Sequence, residues 1–164
     1  MSISYLVTLE ELSVLAHFCN IDTFQGMPAM PLIDSKQCSE LLNTMNDQGL
    51  VHLSEGEIAI DIVVRFILRS MANPTLFIQM PNNVNGYCTD TVGVMVSPAT
   101  RAAGKYKITP LPNANALAYR LWESLGAKTD ATIIVQTAEI KTEMPLTRPE
   151  LETIIAGVYM EVSQ

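Results

Sequence analysis

Apolar residues recur at helical spacing in two early stretches of the chain. Thr8 and Glu11 have the spacing of a capping box, which predicts that a first helix begins at Leu9. A second helix, capped by Ser35 and closed by Gly49, is predicted from apolar positions at i, i+3, i+4 and i+7: Cys38, Leu41, Leu42 and Met45. Two prolines within residues 27–31 exclude helix between the two stretches.

A short hairpin and a third helix are predicted next. Residues 50–53 favour a strand, residues 54–57 a turn, and residues 58–60 a returning strand. The third helix is expected to end before Pro74 and to face the core with one apolar stripe: Ile62, Val63, Phe66, Ile67 and Met71. The order over residues 9–60, two helices and then a two-stranded wing, suggests a winged helix.

The second half of the chain favours strands. Strands are predicted over residues 75–80, 87–96, 105–111 and 132–140, with a turn at 81–86, and the second and third of them form an antiparallel hairpin. Asn113 is expected to cap a helix whose Trp122 and Leu125 lie in the core, and Thr147 with Glu150 forms a capping box before a last helix.

These elements predict an α+β fold, in which helices pack on an antiparallel sheet beside an N-terminal winged-helix-like helical subdomain. Residues 1–80 form the helical subdomain and residues 81–164 the antiparallel α+β subdomain, together one compact domain. The segments after Thr8 and Thr147 share Thr, Glu and Leu at equal spacing. They are either the starts of two copies of one unit or two independent capping boxes.

Charge argues against a nucleic-acid partner. The chain has 164 residues, 48% of them hydrophobic and 16% charged, and its net charge is −7. Within residues 1–80 the only lysines and arginines are Lys36, Arg65 and Arg69, whereas a DNA-binding winged helix needs several such cations against phosphates. We therefore expect a protein partner and no nucleic acid.

The same composition predicts a cytoplasmic protein that is not inserted into a membrane. No secretory leader is expected, because Glu10 and Glu11 interrupt the first apolar stretch and no basic region precedes it. The apolar stretch 58–80 contains charged residues and a proline, which a membrane span disfavours. Three widely spaced cysteines fit reduced thiols better than disulfides. The oligomeric state stays open.

No motif predicts catalysis, a cofactor or a metal. Residues 99–106 resemble the end of a phosphate-binding loop, but Ala99 replaces its first glycine and Tyr106 its hydroxyl residue. His17 and Cys19 are zinc-ligand types, yet they point to different faces of the first helix. We therefore expect a binding protein and no enzyme.

The loop between the first two helices is the main candidate for a partner contact. It has no charge from Thr23 to Ile33 and carries Phe24, Met27, Met30 and Leu32. Such side chains either fold back onto the core or form an adaptable surface for a helix of another protein. If the strand 87–96 lies at a sheet edge, it adds a second contact through Tyr87, Val92 and Val94.

The layout resembles the EspG-like type VII (ESX) secretion-associated proteins, and their Firmicute relatives of unassigned function. The residues that carry the resemblance are Leu9–Leu15, Leu41–Val51, Tyr87–Val96, Lys105–Leu111 and the helix Leu117–Leu125. The family implies a quasi-two-fold α/β fold and a cytosolic chaperone that holds helical-hairpin secretion substrates. This chain is shorter and matches one half of such a protein and the beginning of another.

Two functions from different classes follow. The first is a chaperone or adaptor for a helical secreted partner, and the second is a winged-helix transcriptional regulator or a degenerate relative of one. A regulator would carry a basic second helix, whereas this helix has Lys36 alone with Glu40 and Asp47. The sequence favours the first.

Overall fold

A computed structural model describes residues 3–126 and 130–163. In that part of the chain, nine strands and five α-helices are present. The strands are β1 (Tyr5–Thr8), β2 (Val51–Ser54), β3 (Glu57–Ile60), β4 (Leu76–Met80), β5 (Val84–Cys88), β6 (Gly93–Pro98), β7 (Lys105–Leu111), β8 (Asp130–Gln136) and β9 (Lys141–Thr147). The helices are α1 (Leu9–Phe18), α2 (Ser35–Asp47), α3 (Ile62–Ala72), α4 (Ala114–Glu123) and α5 (Arg148–Ser163).

Seven strands form one sheet in the order β1-β7-β6-β5-β4-β8-β9, and β2 pairs with β3 as a separate hairpin. Every strand pair is antiparallel. The predicted α+β fold with an antiparallel sheet and packed helices is therefore confirmed. Residues 1–80 contribute β1 and β4 to this sheet, so the boundary predicted at residue 80 falls between two neighbouring strands.

Successive side chains of a strand point to opposite faces of the sheet, and each face forms part of a separate hydrophobic core. In β4, Leu76 and Ile78 pack with α4 and α5, whereas Phe77 packs with α1, α2 and α3. Tyr87 in β5 joins Phe77, and its neighbour Cys88 joins the opposite core. This period of two gives three layers, with helices on both sides of the sheet.

The helical N-terminal part follows the sequence closely. The Thr8 hydroxyl accepts from the Glu11 N–H, and the Glu11 carboxylate accepts from the Thr8 N–H, both at 3.0 Å. This is the predicted capping box. The second helix is capped by Asp34 and not by Ser35, because the Asp34 carboxylate accepts the Gln37 N–H at 2.8 Å. The hairpin and third helix follow in the predicted order, which alone does not establish a winged helix.

The strands of the second half differ from the prediction. Residues 87–96 are not one strand: β5 ends at Cys88, and the Thr89 hydroxyl accepts the N–H groups of Thr91 and Val92 in a tight turn before β6. The turn predicted at 81–86 is shorter, because Asn82 and Asn83 adopt positive φ and β5 begins at Val84. A three-residue 3₁₀ turn, Pro81–Asn83, makes the connection.

Two edge strands were not predicted. β1 pairs only with β7, and β9 only with β8, at opposite edges of the sheet. The predicted strand 132–140 corresponds to β8, which ends at Gln136 and turns into β9. In β9, Lys141, Glu143 and Pro145 are exposed, as is typical of strands that keep a sheet edge from pairing.

The similarity between the segments after Thr8 and Thr147 has a structural counterpart. Each threonine ends an edge strand and precedes a helix, and the Thr147 N–H donates to the Glu150 carboxylate at 2.8 Å. Four residues after each threonine, Leu12 and Leu151 are fully buried, in the two opposite cores. The two strand–helix units are therefore equivalent locally and lie on opposite edges and faces of the sheet.

The predicted core of α4 is confirmed. Asn113 caps the helix by accepting the Ala116 N–H at 2.8 Å, and Trp122 and Leu125 are buried in the core that α4 shares with the sheet and α5. Of the helices that the structure describes, none has the length and apolar character required to cross a membrane.

Candidate partner-binding surface

A groove of about 480 Å³ lies between α1, α2 and the loop that joins them. Its apolar lining includes Phe18 of α1, Leu42 of α2 and Ile58 of the β2–β3 hairpin, and Leu32 stands at its rim. Asp34, where α2 begins, adds a carboxylate to the lining. We call this feature the α1–α2 groove.

Hydrogen bonds from the sheet hold the loop in place. The Tyr87 hydroxyl donates to the Gln25 carbonyl, and the Asn85 side-chain amide donates to the Gly26 carbonyl at 3.1 Å. Ser13 of α1 donates to the Pro31 carbonyl at 2.8 Å. Burial raises the pKa of Tyr87, which keeps its hydroxyl protonated and able to donate. The loop is thus held at Gln25 and Gly26 by the sheet and at Pro31 by α1.

The predicted contact residues of the loop separate into core and surface. Phe24 is buried, and Met27 and Met30 are half-buried and pack on the same core. Leu32 is fully exposed. Both alternatives raised by the sequence therefore occur in one loop, and only Leu32 offers its whole side chain to a partner.

The second predicted contact surface, on the strand 87–96, is not exposed to a partner. Tyr87, Val92 and Val94 are buried, and both β5 and β6 have neighbours on each side, so the condition of an edge strand is not met. The reason is that the predicted strand is two strands that pair with each other, while β4 pairs with the other side of β5 and β7 with the other side of β6. Phe24, Tyr87, Val92 and Val94 are therefore core residues.

A second exposed apolar surface lies on α3, where sequence reasoning expected a buried stripe. Ile62 is 80% exposed, and Val63 and Phe66 are 48% and 49% exposed. Of the predicted stripe, Ile67 and Met71 are buried as expected, and Val64 and Leu68 are buried with them. α3 is apolar on more than one side, and this excess over a single buried stripe is the signal that could have revealed the surface.

Two arginines accompany these side chains. Arg65 and Arg69 are exposed and share with Ile62 and Phe66 the i, i+3, i+4, i+7 positions of one helical face. Within the described residues, no carboxylate lies within 4.0 Å of either arginine. Burial raises the pKa of the nearby Cys19 thiol, and the charges of both arginines only partly offset this. We call Ile62, Val63, Arg65, Phe66 and Arg69 the α3 face.

The start of α3 is fixed by one carboxylate. Asp61 accepts the N–H groups of Val63 and Val64 at 3.0 and 3.3 Å, and its other oxygen lies 3.1 Å from the His52 ring nitrogen. The hydrogen bond to His52, with those to the two backbone N–H groups, lowers the pKa of Asp61. The hairpin and α3 are therefore linked by a charged side chain that stays ionised.

The titratable groups elsewhere do not converge. Among residues 3–126 and 130–163, no cluster of three or more His, Cys, Asp or Glu side chains has a metal-binding arrangement. Cys19, Cys38 and Cys88 are free thiols, and burial raises the pKa of Cys88 to about 12. One oxygen of the buried Glu11 carboxylate accepts from Thr8, while the other has no partner in the described structure.

Comparison with known proteins does not assign the chain to a family. No protein-family model matches it, and no curated protein matches it.

Proposed function

We propose that the protein is a non-enzymatic binding protein that holds an α-helix of another protein in the α1–α2 groove. The observation that carries the proposal is Leu32, a large apolar side chain that is fully exposed at the rim of an apolar groove. Leaving such a side chain in water forfeits roughly 2 kcal/mol of burial free energy, which a partner that covers it recovers.

The lining of the groove supports a helical partner. Phe18, Leu42 and Ile58 give it an apolar interior, and Asp34 and His17 give it polar groups at the margin. An amphipathic helix places apolar side chains on one face and polar ones beside them, which is the pattern that such a groove complements. The half-buried Met27 and Met30 belong to the same loop as Leu32 but are not among the residues that line the groove.

The proposal includes a role as a cytosolic chaperone or adaptor in a type VII-like secretion system. It is supported by the order of elements that resembles the EspG-like family and by the two equivalent strand–helix units that begin after Thr8 and Thr147. A family of quasi-two-fold chaperones would contain such a repeated unit. The partner we propose is a helical-hairpin secretion substrate.

A winged-helix regulator has less support. The exposed side chains of α2 include Lys36 but also Glu40 and Asp47, and Glu55 and Glu57 lie on the hairpin. These carboxylates would face phosphates if α2 entered a groove of DNA. Sequence-dependent band shifts at nanomolar protein and physiological salt would instead support the regulator.

Affinity purification of the tagged chain from its own cells tests the proposal. We expect the wild-type chain to retain a helical secreted protein, and Leu32→Asp to lose it without a change in melting temperature. Ile140→Asp is the matched control, because Ile140 is also exposed but lies in the β8–β9 turn. Equal recovery of the partner by Leu32→Asp and wild type would refute a role for the groove.

A further inference from the structure

We infer that the α3 face is a second contact surface, which binds an acidic amphipathic helix. The inference goes beyond the proposed function, because it adds a surface outside the α1–α2 groove and states the charge of its partner. It starts from the exposure of Ile62, Val63 and Phe66, three large apolar side chains within little more than one turn of one helix. A contiguous exposed apolar patch of this kind is typical of a protein interface.

The two positive charges beside the apolar patch favour a partner with acidic side chains. Arg65 and Arg69 are two of the three basic residues in the first 80 positions, and both lie on this helix. Neither has a carboxylate partner within 4.0 Å among the residues that the structure describes. Glutamates or aspartates at the edge of an incoming helix would supply that partner, and arginine can bind a carboxylate through two parallel hydrogen bonds.

The spacing of these residues fits a helix that lies along α3. Ile62 and Phe66 are four positions apart, and Arg65 and Arg69 are also four apart. An amphipathic helix presents apolar and acidic side chains at the same two spacings. Its apolar residues would cover Ile62 and Phe66 while its carboxylates meet the two arginines. Asp61 at the start of α3 would repel acidic residues there, which orients them toward the Arg69 end.

A second copy of this chain fits the surface less well. In an isologous dimer the same patch is used by both subunits, so the arginines of two α3 faces would share one interface. The four arginines would outnumber the two Asp61 carboxylates, which are already held by His52 and the first N–H groups of each α3, so the arginines would repel one another. An acidic helix from a different protein removes that repulsion and covers the same apolar side chains.

Binding of a designed helix tests the inference directly. The probe is a fluorescently labelled synthetic peptide of about 20 residues, with leucines on one face and glutamates beside them. A matched peptide has lysine at every glutamate position. We expect fluorescence anisotropy to show that the full-length protein binds the glutamate peptide at least about tenfold more tightly, and that salt weakens this preference.

Variants of the protein then locate the site. Phe66→Ser should weaken binding of the glutamate peptide by about tenfold or more, and the double variant Arg65→Glu with Arg69→Glu should prefer the lysine peptide. Lys141→Glu is the charge control, because Lys141 is exposed on β9 at the far edge of the sheet. If Phe66→Ser unfolds, Ile62→Ser replaces it, since Ile62 is the most exposed of the three apolar residues.

Three results of the peptide experiments would overturn the inference. They are the absence of saturable binding, equal affinity for the two peptides, and loss of binding only in Leu32→Asp. The last result would place the peptide in the α1–α2 groove and leave the proposed function standing. A dimer in sedimentation that Phe66→Ser abolishes would assign the α3 face to a second copy, which also overturns it. The proposed function fails separately, if Leu32→Asp retains the cellular partner.

Discussion

The hydroxyl of Tyr87 in the central strand β5 donates a hydrogen bond to the backbone carbonyl of Gln25, 62 positions earlier in the chain. Its ring is fully buried and contacts Phe77, with ring centres 5.3 Å apart. One side chain thus joins the sheet to the loop that borders the α1–α2 groove. The loop therefore depends on the sheet for its position.

We expect Tyr87→Phe to lower the free energy of unfolding by about 1 kcal/mol, because the Gln25 carbonyl loses its donor while the ring stays packed. Urea denaturation measures the change. Tyr119→Phe is the control, since Tyr119 is half exposed on α4. A Tyr87→Phe protein as stable as wild type would show that water replaces the hydroxyl.

Gly26 provides a second test of how closely the loop meets the sheet. A β-carbon at Gly26 would lie 2.5 Å from the Phe77 ring, whereas one at Gly49 would meet nothing within 4 Å. Both glycines have similar positive φ, 77° and 78°. An alanine therefore causes the same backbone strain at either site. We expect Gly26→Ala to cost about 1–3 kcal/mol more than Gly49→Ala in urea denaturation. Equal losses would mean that the loop moves away freely.

Trp122 tests the core on the other face of the sheet. Trp122→Ala should reduce the free energy of unfolding by about 3–5 kcal/mol, because it removes a buried aromatic side chain and leaves a cavity. Tyr119→Ala on the same helix is the control and should cost less than about 1 kcal/mol, since its ring is half exposed, with the Arg148 guanidinium 5.2 Å from its centre. Chemical denaturation of both variants gives the comparison.

The pH dependence of the free energy of unfolding should show the contribution of the ionised Asp61 carboxylate. Its pKa is lowered in the folded state, so its stabilisation is present above its unfolded pKa of about 3.9 and is lost as pH falls through the folded value. Asp61→Asn keeps a helix-capping side chain but removes the charge. We expect it to be less stable than wild type at pH 7 by under about 1 kcal/mol. The difference should disappear as pH falls below about 4, and a constant difference would exclude the carboxylate charge as its cause.

Two of the thiols, Cys38 and Cys88, should react at different rates with iodoacetamide. Cys38 is half-buried in the lining of the α1–α2 groove, whereas Cys88 is fully buried with its pKa raised to about 12. Alkylation requires an accessible thiolate, so Cys38 should be modified first and Cys88 only on unfolding. Peptide mass spectrometry over time follows each site. A partner that fills the groove should slow the reaction at Cys38.

The sequence determined the helices of this protein because their signals are local. Thr8 with Glu11, and Asn113 before α4, specify where two helices begin through contacts that span three residues. Apolar spacing in residues 35–47 likewise gave α2. These interactions lie within single helical turns, so a short window of sequence contains both partners.

The edge strands depended on partners far away in the chain. Tyr5 in β1 pairs with Ile108 in β7, and the short strand has no pattern of its own that specifies this pairing. β9 contains Lys141, Glu143 and Pro145, residues that disfavour strand by propensity and suit a sheet edge. Only the paired structure identifies either segment as a strand.

The candidate surfaces were decided almost entirely by tertiary structure. The sequence gives α3 apolar residues on more than one side, and nothing in it distinguishes the buried Val64 and Ile67 from the exposed Val63 and Phe66. Likewise, Phe24 and Leu32 stand in one neutral apolar loop, yet one enters the core and the other faces solvent. Hydrophobicity specifies how many side chains can be buried, whereas the packing of helices on a seven-stranded sheet decides which of them remain exposed for a partner.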